Sequence, residues 1–250
     1  MIDSDEEGFS PEQLCGFDVS STEVSRCAGL LDDELAAWRQ RPLGAYPFVV
    51  LDGRYEKMRH GGTIVDCAVL LAMGVDADGR REVLGTSDDH SGLKAARAAV
   101  FPSVPWQRCQ FHLQQNAGHY VPRKAMRKTV AADIRAIFQA PDHDEAKRPL
   151  QRFIETYKDS APQLAAWAET ALPEGLTVLA LSLTPQQQRR LRTSNAIERV
   201  NKEIHRRTRV ATLFPNEASC LRLVTAVAME ISQDWQTGRR YLNMNEDEDE

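Results

Sequence analysis

The sequence has no apolar run approaching the roughly 18 residues of a membrane span, and its N-terminus is acidic, unlike the positive start of a secretory signal. A membrane-spanning protein is therefore not expected, and the cytoplasm is. Cysteine is sparse. Cys15, Cys27, Cys67, Cys109 and Cys220 are scattered and odd in number, which fits a reducing compartment and not a disulfide framework. No internal repeat is present, so a solenoid is excluded as well. Hydrophobic content of 42% and charged content of 27% are ordinary for a globular chain, and 250 residues suffice for one good core with a helical appendage.

Basic charge is also scarce overall, since the net charge is −5, yet its distribution is uneven. Residues 1–35 carry ten acids and one arginine, and Glu246 to Glu250 add five more negative charges. The body between them is therefore strongly positive, as a polyanion-binding protein requires, and the acidic ends read as solvated tails. The densest basic stretch, Arg189 to Arg209, holds eight Lys/Arg against Glu198 and Glu203. With no proline or glycine inside it and Pro185 just upstream, it is expected to form one long helix. Ile197, Val200 and Ile204 mark its apolar face, while Asn195, Glu198, Lys202 and His205 share another. Glu198 there is either a salt-bridge partner or a metal ligand beside a bound polyanion.

Taken in order, residues 1–10 read as a disordered acidic lead. Residues 11–44 read as a helical segment capped by Ser20 or Ser21, carrying Val24, Leu30, Leu31, Leu35 and Trp38 and ending before Pro42. Its acidity argues against a DNA-reading helix-turn-helix and for a packing role. Residues 45–120 hold the strands: a central one through Phe48–Leu51, a second in TIVDCAVLLAMGV, a turn at Asp76–Gly79 and a third at Arg81–Leu84, an antiparallel meander. A helix is expected from near Gly92, and a short strand within Trp106–His112. Residues 121–185 are helical, with Ala131, Ile134, Ile137 and Phe138 on one stripe and Leu150, Phe153, Ile154 and Tyr157 on another. Residues 186–244 hold the basic helix and a last helix from Asn216 to about Trp235; 245–250 are the acidic tail.

Asp52 leaves the apolar run of the first strand, Asp88 precedes a helix, and Glu198 lies in the basic helix. Asp52 reads either as a turn aspartate before Gly53 or as a carboxylate projecting from the sheet. Two aspartates and a glutamate can hold a pair of Mg²⁺ ions, hard cations that prefer oxygen. Such a pair supports in-line phosphoryl displacement. In a chain with 36 acids this pattern carries little weight alone.

Longer motifs carry more. LDGRYEKMR, GRREVLG, SDDHSGLKAA, FPSVPWQRCQFHLQQN, RTSNAIERVNKEIHRRTRV and FPNEASCLRLV occur in the order found in the Mutator-type insertion-sequence transposases. The sequence resembles that family almost continuously from Leu14 to Met244. The resemblance implies an α/β, helix-rich chain: an RNase H-like core with an all-α insertion. It also implies a DDE triad at Asp52, Asp88 and Glu198, which would be both catalytic residues and ligands of two Mg²⁺ (or Mn²⁺) ions. Its implied activity is cleavage and strand transfer of DNA, with element ends and target DNA as partners and a homodimer or larger assembly on DNA. Arg192, Asn195, Asn201, Lys202, Arg206, Arg207 and Arg209 are the expected DNA contacts. Trp106 and the family's Cys-x-x-His signature, Cys109 to His112, are expected to be structural. Zinc is not expected there, because a closed zinc site needs four ligands and no second Cys/His pair is close by.

Two departures from the family stand out. The match begins only at the tail of the family's N-terminal DNA-binding region, and Thr86 alone separates GRREVLG from SDDHSGL, where the family has a helix and a strand. Asp88 is therefore expected to be poorly placed and activity to be weak or absent. The alternative to an active transposase is a catalytically inactive, DNA-binding or oligomerising remnant.

Overall fold

A computed structural model describes residues 20–87, 99–209 and 213–244, with the backbone alone at 85–87. Helix α1 (Ser21–Gln40) opens on a reciprocal cap: the Ser20 hydroxyl accepts from the Glu23 amide, and the Glu23 carboxylate accepts from the Ser20 amide. Of its expected apolar residues, Leu35 is buried whereas Val24 and Leu30 are exposed, so only one short stripe packs. Strands β1 (Phe48–His60), β2 (Thr63–Val75) and β3 (Arg81–Ser87) form the expected antiparallel meander, in the order β1-β2-β3.

Among the described residues the central strand is β2, and not the Phe48–Leu51 run of β1 as expected. The apolar residues there divide between faces: Val50 turns inward, while Val49 is half exposed on the other side. Two glycines with positive φ, Gly61 and Gly62, make the tight β1–β2 turn. In the second turn Asp76 Oδ1 accepts from the amides of Asp78 and Arg80. Gly79 takes φ 75° there, and its carbonyl accepts from the amides of Tyr241 and Leu242. A Cβ on Gly79 would lie 1.9 Å from the Leu242 carbonyl oxygen, so the C-terminal segment closes over this turn only because the residue is glycine.

Two hydrophobic cores follow. The first is all-helical and is built from α2 (Gln110–Ala117), α3 (Arg127–Phe138), α4 (His143–Tyr157) and α5 (Pro162–Ala171), with α6 (Thr177–Ala180) at its end. Leu113, Ile134, Ile137, Phe153, Leu164 and Leu176 fill it, and Val130, not Ala131, completes the α3 stripe. The expected strand within Trp106–His112 is instead an extended segment leading into α2. The Gln107 and Gln110 side-chain amides there donate to the Gly175 carbonyl.

The second core lies between the sheet and two helices, α8 (Asn195–Thr208) and α9 (Glu217–Thr237). Met58, Val69, Leu71 and Met73 meet Ile197, Val200 and Ile204 of α8 and Val224 and Val227 of α9. Arg222 of α9 forks onto Asp32 with two 2.6 Å bonds and so fastens α1 to this layer. The acidic N-terminal helix is thus a packing element, as its charge suggested.

The basic stretch is two helices, not one. A capping box of Thr184 and Gln187 starts α7 (Pro185–Leu191), with Pro185 in the first turn. The chain then breaks at 192–194 before α8. A continuous helix would pass the Arg192 carbonyl to residue 196 and the Ser194 amide to residue 190. Here the Arg192 carbonyl accepts from the Gln110 amide at 3.0 Å, and the Ser194 amide points at Cys109 Sγ at 3.4 Å. The segment before α2 has taken both groups and so ended α7.

Candidate active site

Helix α8 lies on β1 through polar residues as well as apolar ones. Even-numbered residues of β1 share the inward face because side chains alternate along a strand. They read Val50, Asp52, Arg54, Glu56, Met58, so three ionisable groups sit between two apolar ones. Asp52 lies inside the strand, opposite Leu71, and not at its end or in a turn. Asn201 Nδ2 donates to Asp52 Oδ2 at 2.6 Å, Arg54 Nη1 donates to the Asn201 carbonyl at 2.5 Å, and Thr208 Oγ1 donates to Glu56 at 3.1 Å. Arg54 also pairs with Glu56 at 2.5 Å. Asn201 and Thr208, two turns apart on α8, therefore bond to three alternate residues of β1.

One turn before Asn201, Glu198 reaches the same end of the sheet. The Ser194 hydroxyl donates to Glu198 Oε1 at 2.7 Å and lies 3.3 Å from Cys109 Sγ. Ligand atoms of Cys109, His112 and Glu198 all fall within 4.8 Å of one another. Burial raises the Asp52 pKa above the ordinary carboxylate range; the Asn201 hydrogen bond, the His112 ring and the Gly53 amide oppose that shift, and the Glu198 charge adds to it. Asp52 and Glu198 thus sense each other electrostatically although 146 positions separate them in sequence. The cluster offers one carboxylate, one imidazole and one thiol, and Asp52 lies near enough for His112 and Glu198 to act on it electrostatically.

Asp88 lies outside the described residues. The strand leading to it is described, however. Leu71 pairs with Asp52 on one side and with Thr86 on the other, and Ser87 pairs with Leu70. The end of β3 is therefore two strands from β1, roughly 10 Å at ordinary strand spacing, with β2 between them. Among the described residues the outer edge of β1 is joined only at its far end, where Phe214 bonds to Lys57 and Arg59.

The sequence matches the description "Transposase, Mutator family" over residues 10–87 and 84–238, two segments that meet within β3. The chain belongs to the Mutator transposase family. It is 52% identical to the transposase for insertion sequence element IS406 of Burkholderia multivorans, over 91% of this chain and 66% of that protein. Identity is 35% to the ISRM5 transposase of Rhizobium meliloti, over 94% and 66%, and 33% to the IS1081 transposase of Mycobacterium tuberculosis, over 90% and 61%. The chain thus spans just under two thirds of the length of these relatives. The IS406 alignment runs over 257 positions, more than this 250-residue chain contains, so that relative carries residues with no counterpart here.

Within this transposase-family chain the expected DNA contacts divide into two groups. Asn195, Lys202, Arg206 and Arg209 are exposed, as phosphate contacts require. Arg206 and Arg207 are held by Glu203, and Arg207 also by Glu230, which turns part of the basic face inward on itself. Those two guanidinium groups lower the Glu203 pKa to about 2. Asn201 differs: its amide is committed to Asp52. Arg192 is half-buried at the α7–α8 break, where its backbone fixes α2. Trp106 contributes its carbonyl to Thr177 Oγ1 at 2.6 Å, a scaffold contact. Sequence reasoning missed Arg54, Glu56, Thr208 and Ser194. The alternation of ionisable residues at 52, 54 and 56, between Val50 and Met58 on one strand face, was the available signal. No helix among the described residues is long and apolar enough to cross a membrane.

Proposed function

We propose that this chain is the catalytic part of an insertion-sequence DNA transposase of the DDE type, impaired at its second aspartate. The observation that supports the reading is the Asn201 bond to Asp52, which fixes α8 on β1 one turn from Glu198, so that the two carboxylates act on each other electrostatically. Strand–helix placement of two carboxylates beside a basic helix suits an RNase H-like core, whose meander and covering helices would be β1–β3, α8 and α9.

Carboxylate oxygens fit a hard divalent cation, and Asp52, whose ionised form is disfavoured by burial, gains a compensating charge when one binds. Mg²⁺ or Mn²⁺ held by Asp52 and Glu198 would activate an attacking oxygen and stabilise a leaving one during phosphoryl transfer on DNA. The protein's own part is to hold these carboxylates in place and to bind phosphates through Lys202, Arg206 and Arg209. Element ends and target DNA are the substrates on this reading, and assembly of copies on DNA is part of it.

The impairment rests on β3. It ends two strands from β1 and continues directly into Asp88, and the family match breaks at the same place. This favours the second reading, a remnant that binds DNA and cuts it poorly. A supercoiled-plasmid assay with Mg²⁺ or Mn²⁺ tests both, using the whole chain and Glu198→Ala. The expected result is plasmid binding with nicking little above the Glu198→Ala background. Robust nicking abolished by Glu198→Ala would refute the impairment while supporting the chemistry; absence of DNA binding would refute the transposase reading itself.

A further inference from the structure

We propose that Cys109, His112 and Glu198 form a binding site for a borderline transition-metal ion, zinc in the first instance. The two-ligand count taken from Cys-x-x-His is incomplete, because folding brings a third ligand from 86 residues beyond His112. Sulfur, imidazole nitrogen and carboxylate oxygen together suit zinc, whereas Mg²⁺ and Ca²⁺ avoid thiolate. This site is therefore distinct in chemistry from the Asp52–Glu198 pair, although Glu198 belongs to both.

The geometry is built on fixed elements. Cys109 caps α2 and His112 lies in its first turn, three residues on, so both side chains face one side of the helix. Glu198 lies in the first turn of α8. The Gln110 amide on the Arg192 carbonyl ties the two helix starts together at 3.0 Å. The three ligand atoms already lie within 4.8 Å of one another, against about 3.5 Å between ligands around tetrahedral zinc.

Ser194 supplies the supporting contacts that metal ligands need. Its amide points at Cys109 Sγ at 3.4 Å, and its hydroxyl donates to Glu198 Oε1 at 2.7 Å. One residue at the α7–α8 break thus orients two ligands from different elements. Among the described residues three protein ligands are present, one fewer than a closed structural zinc site has.

Because Glu198 is shared, an ion here withdraws it from Asp52. The binding itself requires no strand cleavage, so its test stands apart from the transposase reading. The probe is Co²⁺, titrated into the metal-free whole chain under reducing conditions, with thiolate-to-cobalt absorption as the readout. The expected result is a saturating band at one ion per chain, displaced by Zn²⁺ and not by excess Mg²⁺. Cys109→Ser abolishes the band while thermal unfolding of the metal-free chain stays unchanged, and Cys27→Ser keeps it. Ser194→Ala weakens Co²⁺ binding by about 10- to 100-fold; His112→Ala and Glu198→Gln weaken it by at least about tenfold. No sulfur band in the wild-type chain, or a band that survives Cys109→Ser, overturns the proposal.

Discussion

The helical unit around Ile134 and the sheet layer around Leu71 are both close-packed, but they differ in what they enclose. The helical core is closed by apolar side chains from α2 to α6, and its polar groups are satisfied at the margin, as where the Tyr157 hydroxyl donates to Asp133 at 2.6 Å. The sheet layer instead buries a polar seam, Asp52–Arg54–Glu56 against Asn201 and Thr208, in which Arg54 Nε and Asn201 Oδ1 have no hydrogen-bond partner. Buried polar groups left partly unsatisfied cost stability. A unit meant only to be stable avoids them, and a unit meant to hold charged ligands does not. On the proposed reading, the helical unit is the scaffold that delivers Cys109 and His112, and the sheet layer carries the chemistry.

The comparison is broken most strongly in the scaffold. Ile134 is fully buried, and Ile134→Ala is expected to cost about 2–5 kcal/mol through lost burial and a residual cavity. Denaturant unfolding followed by tryptophan fluorescence measures this, and α2, with its two ligands, should loosen along with the unit.

In the sheet layer the expected sign reverses. Burial holds the folded pKa of Asp52 above its unfolded value, so the group favours folding while protonated and loses that contribution as pH rises through the folded pKa. Asp52→Asn keeps an oxygen for the Asn201 amide and removes the charge. It should therefore stabilise the metal-free chain at neutral pH, with the gain shrinking as pH falls into the ordinary carboxylate range. Chemical denaturation across that pH span reads it; a uniform loss of stability would mean that Asp52 is a structural anchor and not a poised ligand.

A smaller effect is expected at the join with α1. Arg222→Ala removes the fork onto Asp32, whose side chains are 27% and 47% exposed, so solvent screening should keep the loss of stability small. Protease cleavage within α1 should rise while the sheet layer stays protected. Both effects are checked by limited proteolysis alongside thermal unfolding.

The parts of the fold that rest on local patterning were legible in the sequence. Ser20 as a cap, the turn at Asp76–Gly79, the α4 stripe through Phe153 and Tyr157, and the start of α9 at Asn216 all follow from spacing and capping chemistry. What failed depended on partners far along the chain. The break at 192–194 has no local cause such as proline or glycine; it arises because Gln110 and Cys109 take the backbone groups a continuous helix would use. The placement of β1 at one side of the described strands depends on strand order, which its apolar run does not encode. Asp52 and Glu198 were readable as candidates through the family motifs. Their company was not, since Glu198 joining Cys109 and His112 is a product of two helix starts meeting.

The central claim is that Asp52 and Glu198 act together on a divalent cation while Asp88 does not complete the set. Thermal unfolding of the whole chain with and without Mn²⁺ tests it directly, comparing wild type with Asp52→Ala, Glu198→Ala and Asp88→Ala. An ion at 100 times its dissociation constant stabilises the folded state by about 2.7 kcal/mol. The account predicts that this stabilisation is lost in Asp52→Ala and in Glu198→Ala and kept in Asp88→Ala. Equal loss in all three would show an intact triad, and loss in none would show that these carboxylates do not hold the ion.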